Sequence, residues 1–144
     1  MNKNKKVVWI ARALILVVTF LNLQAAILFL ISPAQFTPGF ELSGVAGEAV
    51  IRGMGLLFVM WNIPYVFALV DPLRHRISLI EALIMQFIGV AGESLLLLLL
   101  GAHPVLDATV QRFIYFDGSG FLVLLAAFLI TFKLSRTGRS KAEF

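Results

Sequence analysis

Cysteine is absent from the chain, and charged residues are scarce. Without cysteine the protein can form neither disulfides nor thiolate metal sites, and thiol redox chemistry is excluded. Charged residues make up 14% of the 144 residues, whereas hydrophobic residues make up 60%. A typical soluble domain carries about 25% charged residues. The composition therefore indicates a chain built for the lipid bilayer, and its length leaves room for a single domain.

Long apolar runs separated by short polar segments account for most of the chain. Each run can cross a hydrocarbon core of about 30 Å as an α-helix that rises ~1.5 Å per residue. Because the connections are short, neighbouring helices should be antiparallel. The sequence therefore predicts an all-α integral membrane four-helix bundle of up-down-up-down topology, one domain over 1–144, with helices at about 7–31, 46–70, 77–100 and 107–132 and a basic tail at 133–144.

Basic residues are concentrated at the two termini and in the connection between the second and third apolar runs. Lysines precede the first run, Arg74 and Arg76 follow the second, and the C-terminal tail is basic, whereas the other two connections contain neither Lys nor Arg. This asymmetry predicts a multi-pass protein of the cell membrane with both termini in the cytoplasm. The first run is too long for a signal peptide and lacks a clear cleavage site. Basic residues at helix ends indicate contact with anionic membrane lipids, and we expect no nucleic-acid partner.

Several ionisable side chains fall inside the predicted spans, toward the ends that the basic residues avoid. An ionised residue that faces lipid at a helix centre costs roughly 2.5 to 3.5 kcal/mol, so these side chains should face one another. Counting residues from the helix ends places Arg52, Glu93 and Arg112 at a similar depth in the membrane, in one layer with Gln24. This predicted polar cluster is a candidate ligand-binding site and consists of Gln24, Glu48, Arg52, Glu93, Arg112 and Asp117.

The predicted polar cluster contains three acids and two arginines, which leaves one carboxylate without a cationic partner. A proton, a bound cation or entering water would have to compensate it. Glu93, which precedes a run of leucines, is the acid that we expect to lack a partner. Arg52 and Arg112 would then be fixed partners, or would clamp an anionic or carbonyl head group. Alternatively, the cluster only holds the helices together.

Helical spacing assigns these residues to particular faces. Positions 48, 52, 55, 59 and 62 share one face of the second helix, and positions 82, 86, 89 and 93 share one face of the third. Positions 12, 15, 19 and 22 line up on the first helix, with Gln24 pointing elsewhere. Arg112 and Asp117 lie about 140° apart on an ideal helix and diverge unless the chain distorts at 118–120. Tyr65 is a candidate for the aromatic belt at the membrane interface.

The first connection carries Phe36, Phe40 and Leu42 among polar and turn-forming residues. This pattern is typical of a segment at the membrane surface. We predict a simple connector with lipid-facing aromatic side chains, the alternative being a segment that partly covers the bundle.

Motifs that would identify a reaction are missing from the sequence. It contains no nucleophile and base pair, nucleotide loop or metal-binding cluster of recognised spacing. His103 and Asp107 could join Glu93 around a metal, but a lone loop histidine is usually solvated. The sequence therefore assigns no catalytic or metal-binding residue, names no cofactor and favours a protein that is not an enzyme.

The second predicted helix opens with an acidic residue, an arginine and glycines, in the segment Gly47-Glu48-Ala49-Val50-Ile51-Arg52-Gly53-Met54-Gly55. Together with the four-span layout and a weaker echo at 112–118, this segment resembles the DoxX-like superfamily of small four-helix bacterial membrane proteins. Some members of that superfamily are named as possible subunits of quinone-linked oxidoreductases, so the resemblance implies a membrane accessory role. The long leucine-rich third helix that carries Glu93 departs from the family pattern.

Three functions are compatible with these features. The first is a non-enzymatic accessory or assembly subunit of a larger membrane complex, or a binder of a quinone-like or other lipid through the polar cluster, as a single chain or a homo-oligomer. The second is a proton- or ion-coupled transporter or channel, which would have to work as an oligomer. The third is a membrane-embedded enzyme that acts on a lipophilic substrate, with Glu93 or Asp117 as general acid or base.

Overall fold

The computed structural model describes residues 3–101 and 103–140, and this part of the chain is almost entirely helical. Each of its long helices contains a stretch that is long and apolar enough to cross a membrane. The all-helical class predicted from the sequence is confirmed. The long helices are α1 at Lys3–Ile31, α2 at Gly44–Val70, α3 at Arg76–Leu99 and α4 at Pro104–Ser140.

The helices extend beyond several of the apolar runs that predicted them. α1 begins at Lys3 rather than at residue 7, and α4 continues to Ser140 rather than ending at 132. Lysine, arginine and serine are accommodated in helices, so the end of an apolar run need not end the helix. α4 also starts early, at Pro104, because the fixed φ of proline suits a first helical turn. Residues 133–140 of the predicted tail thus belong to α4, and residues 141–144 lie outside the described residues.

The four helices pack side by side, with α1 and α3 each in contact with both α2 and α4. Fully buried small and aliphatic side chains, among them Ala11, Ile15, Leu79 and Leu124, fill one half of the interior. Large apolar side chains cover the outside of every long helix. An apolar outer surface of this extent is rare on soluble monomers and suits a helix bundle surrounded by lipid.

Contacts between the connections define the two ends of the bundle. Residues 71–75 join α2 to α3 and lie near the start of α1 and the later turns of α4, where Lys5, Arg76 and Leu134 line one cavity. We name this the basic end. At the opposite end, which we name the loop end, the α1–α2 connection meets the α3–α4 connection. There Nδ1 of His103 lies 3.1 Å from a carboxylate oxygen of Glu41.

A cap over the loop end is formed by residues 33–40, which fold into two short 3₁₀ helices between α1 and α2. The ring of Phe36 lies 4.6 Å from that of Phe29, and the ring of Phe40 lies 5.9 Å from that of Phe113. The prediction of a simple connector with lipid-facing aromatics is therefore wrong, and the alternative of a covering segment describes the cap. Phenylalanine rings gain from tilted and edge-to-face contacts with one another in addition to burial, which favours this inward orientation.

Candidate ligand-binding site

The predicted polar cluster divides into separate groups. Arg52 and Glu48 pair with each other on α2, with a nitrogen–oxygen distance of 3.2 Å, and the Arg52 side chain is 50% exposed. Ile51 is fully buried instead, and Gly47 and Gly55 share its face. Gly55 and Asn62 of the predicted stripe are buried, but in the first turns of α2 the buried positions are Gly47 and Ile51 instead of the predicted Glu48 and Arg52. Glycines and an isoleucine let α2 approach its neighbours more closely than a Glu–Arg face would.

Gln24 and Arg112 also stand apart from the other members of the predicted cluster. Gln24 is exposed on α1, as its helical position indicated. Arg112 is exposed on α4 and lines a cavity of about 400 Å³ between α1, α4 and the cap. Because α4 remains helical through 118–120, Arg112 and Asp117 diverge as ideal helix geometry requires. Arg52 and Arg112 therefore do not meet the other two acids, and the prediction that the ionisable side chains all face one another is wrong.

The two remaining acids meet between α3 and α4. The carboxyl groups of Glu93 and Asp117 lie close enough to form a hydrogen bond with each other. The Oε2 atom of Glu93 is buried and receives no hydrogen bond from a donor in the described part of the chain. A hydrogen bond between two carboxyl groups requires a proton on one of them. The pair can therefore share a proton, which provides both a donor and an acceptor at the same place.

Glycine at position 89 makes room for this pair. A Cβ atom at Gly89 would overlap the carboxyl group of Asp117. A Cβ atom at Gly120 would in the same way overlap the side-chain amide of Gln86. The two glycines thus create the space between α3 and α4 that the polar side chains occupy.

A chain of hydrogen bonds continues from the carboxyl pair into the bundle. Nε2 of Gln86 donates to Oδ1 of Asp117 at 3.1 Å, and the hydroxyl of Tyr65 donates to Oε1 of Gln86 at 2.6 Å. The side chain of Asn22 contacts the Tyr65 hydroxyl, so every long helix contributes a polar group. The sequence placed Gln86 and Asn22 on inward faces but assigned Tyr65 to the interface. Its spacing of three residues from the buried Asn62 was the signal that could have identified it.

The carboxyl pair lines a crevice of about 490 Å³ between α2 and α3, with α4 behind it. Apart from the two acids, its lining is formed by glycines and by apolar or aromatic side chains, including Trp61, Ile88 and Leu96. These three side chains are exposed on the outer apolar surface of the bundle. A lipophilic molecule could therefore enter from the side that faces lipid and reach the acids without crossing a polar surface.

Aromatic side chains separate the crevice from the cavity between α1, α4 and the cap. Phe40, Phe58 and Phe113 line the crevice and also the cavity between α1 and α4. The ring of Phe113 lies 5.9 Å from Phe40 and 6.3 Å from Phe58. The hydroxyl of Thr109 donates to the carbonyl of Gly39 at 2.6 Å, which ties the cap to α4 and holds Phe40 in place.

The chemistry of the site is that of a hydrogen-bonding pair in an apolar surrounding. Within residues 3–101 and 103–140, no three His, Cys, Asp or Glu side chains lie close enough together to hold a metal ion. His103 contacts Glu41 at the loop end instead. Comparisons with protein-family models, with curated proteins and with solved structures each gave no match to this chain.

Proposed function

We propose that the protein is a non-enzymatic membrane protein that binds a quinone-like lipid in the crevice between α2 and α3. The observation that carries this proposal is the Glu93 and Asp117 carboxyl pair on the wall of an apolar crevice that opens toward the lipid-facing surface. The crevice volume of about 490 Å³ lies within the range of small-molecule sites. An accessory role in a larger membrane complex is supported by the resemblance of residues 47–55 to the DoxX-like superfamily.

We further propose that the helices cross the membrane in up-down-up-down order, with the basic end and both termini in the cytoplasm. Lys5, Arg74, Arg76 and Lys133 all lie at or near the basic end, whereas the two connections at the loop end contain neither Lys nor Arg. The positive-inside rule then assigns the basic end to the cytoplasm. In this orientation the carboxyl pair lies in the outer half of the bilayer.

A shared proton suits the pair to both redox forms of a quinone. The protonated carboxyl donates a hydrogen bond to a quinone carbonyl, and the ionised carboxyl accepts one from a hydroquinone hydroxyl. Gln86 holds Asp117 from the opposite side at 3.1 Å and so orients it. Trp61 and Phe113 provide aromatic surfaces against which a conjugated ring can pack.

The packing of the interior supports binding more than passage through the bundle. Between the polar chain and the basic end, the core is filled by side chains such as Ile15, Leu79 and Leu124, which are fully buried. A proton-coupled transporter is a second candidate, favoured by the contact between two acids that can share a proton. Such a transporter would need several copies of this chain, because four spans leave little room for a pathway.

Fluorescence of Trp61 provides a direct test of quinone binding. The chain has two tryptophans, so a Trp9→Phe background leaves Trp61 in the crevice as the sole reporter. A ubiquinone with a decyl tail should quench its fluorescence saturably in detergent micelles. Glu93→Gln should weaken the apparent affinity about tenfold, since a hydrogen bond that involves a charged group is worth roughly 1.5 kcal/mol or more.

Glu81→Gln is the matched control, because Glu81 is an exposed residue of the same helix. This variant should keep the affinity of the Trp9→Phe parent. Quenching that does not saturate, or that is the same in both Gln variants, would contradict binding at the carboxyl pair. Proton flux in liposomes that Glu93→Gln abolishes would favour the transporter.

A further inference from the structure

A separate cavity lies at the basic end, whereas the carboxyl pair lies nearer the loop end. The volume of this cavity is about 430 Å³. It is bounded by the first turns of α1, by the α2–α3 connection and by the later turns of α4. The side chains that matter for its chemistry are Lys5, Trp9, Leu73, Arg76 and Leu134.

The positive charge of this cavity has no carboxylate counterion within residues 3–101 and 103–140. Neither Lys5 nor Arg76 forms an ion pair with a carboxylate among the described residues. Asp71 is nearby in the chain, but its carboxylate accepts hydrogen bonds from the backbone N–H groups of Arg74 and Leu73, each at 3.0 Å. These bonds lower the pKa of Asp71, helped by the positive charge of Arg74. The carboxylate of Asp71 therefore accepts hydrogen bonds within its own turn and does not form an ion pair with Lys5 or Arg76.

The guanidinium group of Arg76 is held in place by aromatic rings. Its central carbon lies 4.6 Å from the ring centre of Phe132 and 5.5 Å from that of Phe128. Its Nε is buried and has no hydrogen-bond partner in the described part of the chain. Stacking of this kind orients the group without compensating its full charge. A pre-oriented guanidinium beside a lysine is a geometry that suits phosphate oxygens.

Apart from Asn4 and Thr131, the other residues that line the cavity are apolar. Val8, Trp9, Leu73 and Leu134 provide most of this surface, and Trp9 is exposed on the outside of the bundle. Tryptophan is typical of the level at which lipid head groups meet acyl chains. A ligand that fills the cavity should therefore combine a negatively charged head with an apolar chain.

We propose that this cavity binds the phosphate of an anionic phospholipid, with Lys5 and Arg76 on the phosphate and an acyl chain along the apolar walls. Basic pockets at the ends of membrane helices are suited to such head groups. The site is separate from the quinone crevice, so its occupancy does not depend on the function proposed for the carboxyl pair.

Native mass spectrometry of the full chain with added lipid tests the proposal. Phosphatidylglycerol and phosphatidylcholine with identical acyl chains are titrated onto wild type, Arg76→Gln and Lys5→Gln. Wild type should bind phosphatidylglycerol more tightly, and each substitution should weaken that binding about fivefold, since one cation near a lipid phosphate is worth roughly 1 kcal/mol. Binding of phosphatidylcholine should stay within twofold of wild type, which also reports an intact fold.

Arg74→Gln is the matched control, because Arg74 is an exposed arginine of the same connection that does not line the cavity. It should keep wild-type affinity for phosphatidylglycerol. An equal loss in Arg74→Gln would show a general effect of net charge and overturn the site. Unchanged affinity in both Arg76→Gln and Lys5→Gln would overturn it as well. Displacement of the lipid by millimolar inorganic phosphate would overturn the assignment to a lipid and indicate a site for soluble phosphate.

Discussion

Replacing Gly89 with alanine should break the polar chain between α3 and α4. The new Cβ atom would overlap the carboxyl group of Asp117 and would lie 3.0 Å from its Cγ. Asp117 would have to turn away and lose the 3.1 Å hydrogen bond from Gln86. Losing a hydrogen bond to a charged group costs about 1.5–3 kcal/mol, and the higher helix propensity of alanine returns up to ~1 kcal/mol. We expect a net decrease of about 0.5–2 kcal/mol in the free energy of unfolding.

Gly92→Ala provides the control for this experiment. Gly92 lies on the same helix, and a Cβ atom there would have no neighbour within 4 Å. Both substitutions gain the same helix propensity, so the difference between Gly89→Ala and Gly92→Ala isolates the effect on Asp117. That difference should be about 1.5–3 kcal/mol when unfolding by SDS in mixed micelles is followed by circular dichroism.

Repeating both substitutions in an Asp117→Ala background completes a double-mutant cycle. Without the carboxyl group there is nothing for the new Cβ at Gly89 to displace, so Gly89→Ala and Gly92→Ala should then be equally stable. Equal stability of the two variants in the wild-type background would refute the reasoning. So would a difference that persists when Asp117 is alanine.

Other consequences of the structure can be measured in the same way. Tyr65→Phe should lower the free energy of unfolding by about 1–2 kcal/mol, because it leaves a buried amide oxygen without its donor, whereas Tyr115→Phe, at a side chain that is 75% exposed, should have no effect. Thr109→Val removes the hydrogen bond to Gly39 and should accelerate amide hydrogen exchange in residues 33–42; unchanged protection there would contradict a role in holding the cap. Asp71 has a lowered pKa because backbone N–H groups donate to its carboxylate, so wild type should exceed Asp71→Ala in melting temperature above the ordinary carboxyl pKa of about 4. That advantage should shrink as the pH falls through the lowered pKa, and a difference that does not change between pH 7 and pH 3 would contradict it.

The order and number of the helices could be predicted from the sequence because each apolar run is close to the length that spans a bilayer. The inward face of α3 was also predictable. Gln86, Gly89 and Glu93 recur at helical spacing within a leucine-rich helix, so the polar and small positions stand out against their apolar neighbours. The basic residues at one end of the helices predict the orientation, because connections rich in Lys and Arg stay on the cytoplasmic side.

The tertiary structure decided which side of α2 faces the bundle, how the cap is oriented and which polar groups meet. In a soluble helix an apolar stripe marks the inward face, but in lipid both faces accept apolar side chains, so hydrophobicity does not separate Ile51 from its exposed neighbours. The choice is made by close contact between glycines and the adjacent helix, and by donors that find acceptors across helices. The hydrogen bond from Tyr65 to Gln86 joins residues 21 positions apart, and the contact of Glu93 with Asp117 joins α3 to α4. Pairings of this kind depend on how the helices pack around one another, so they cannot be predicted from local sequence patterns.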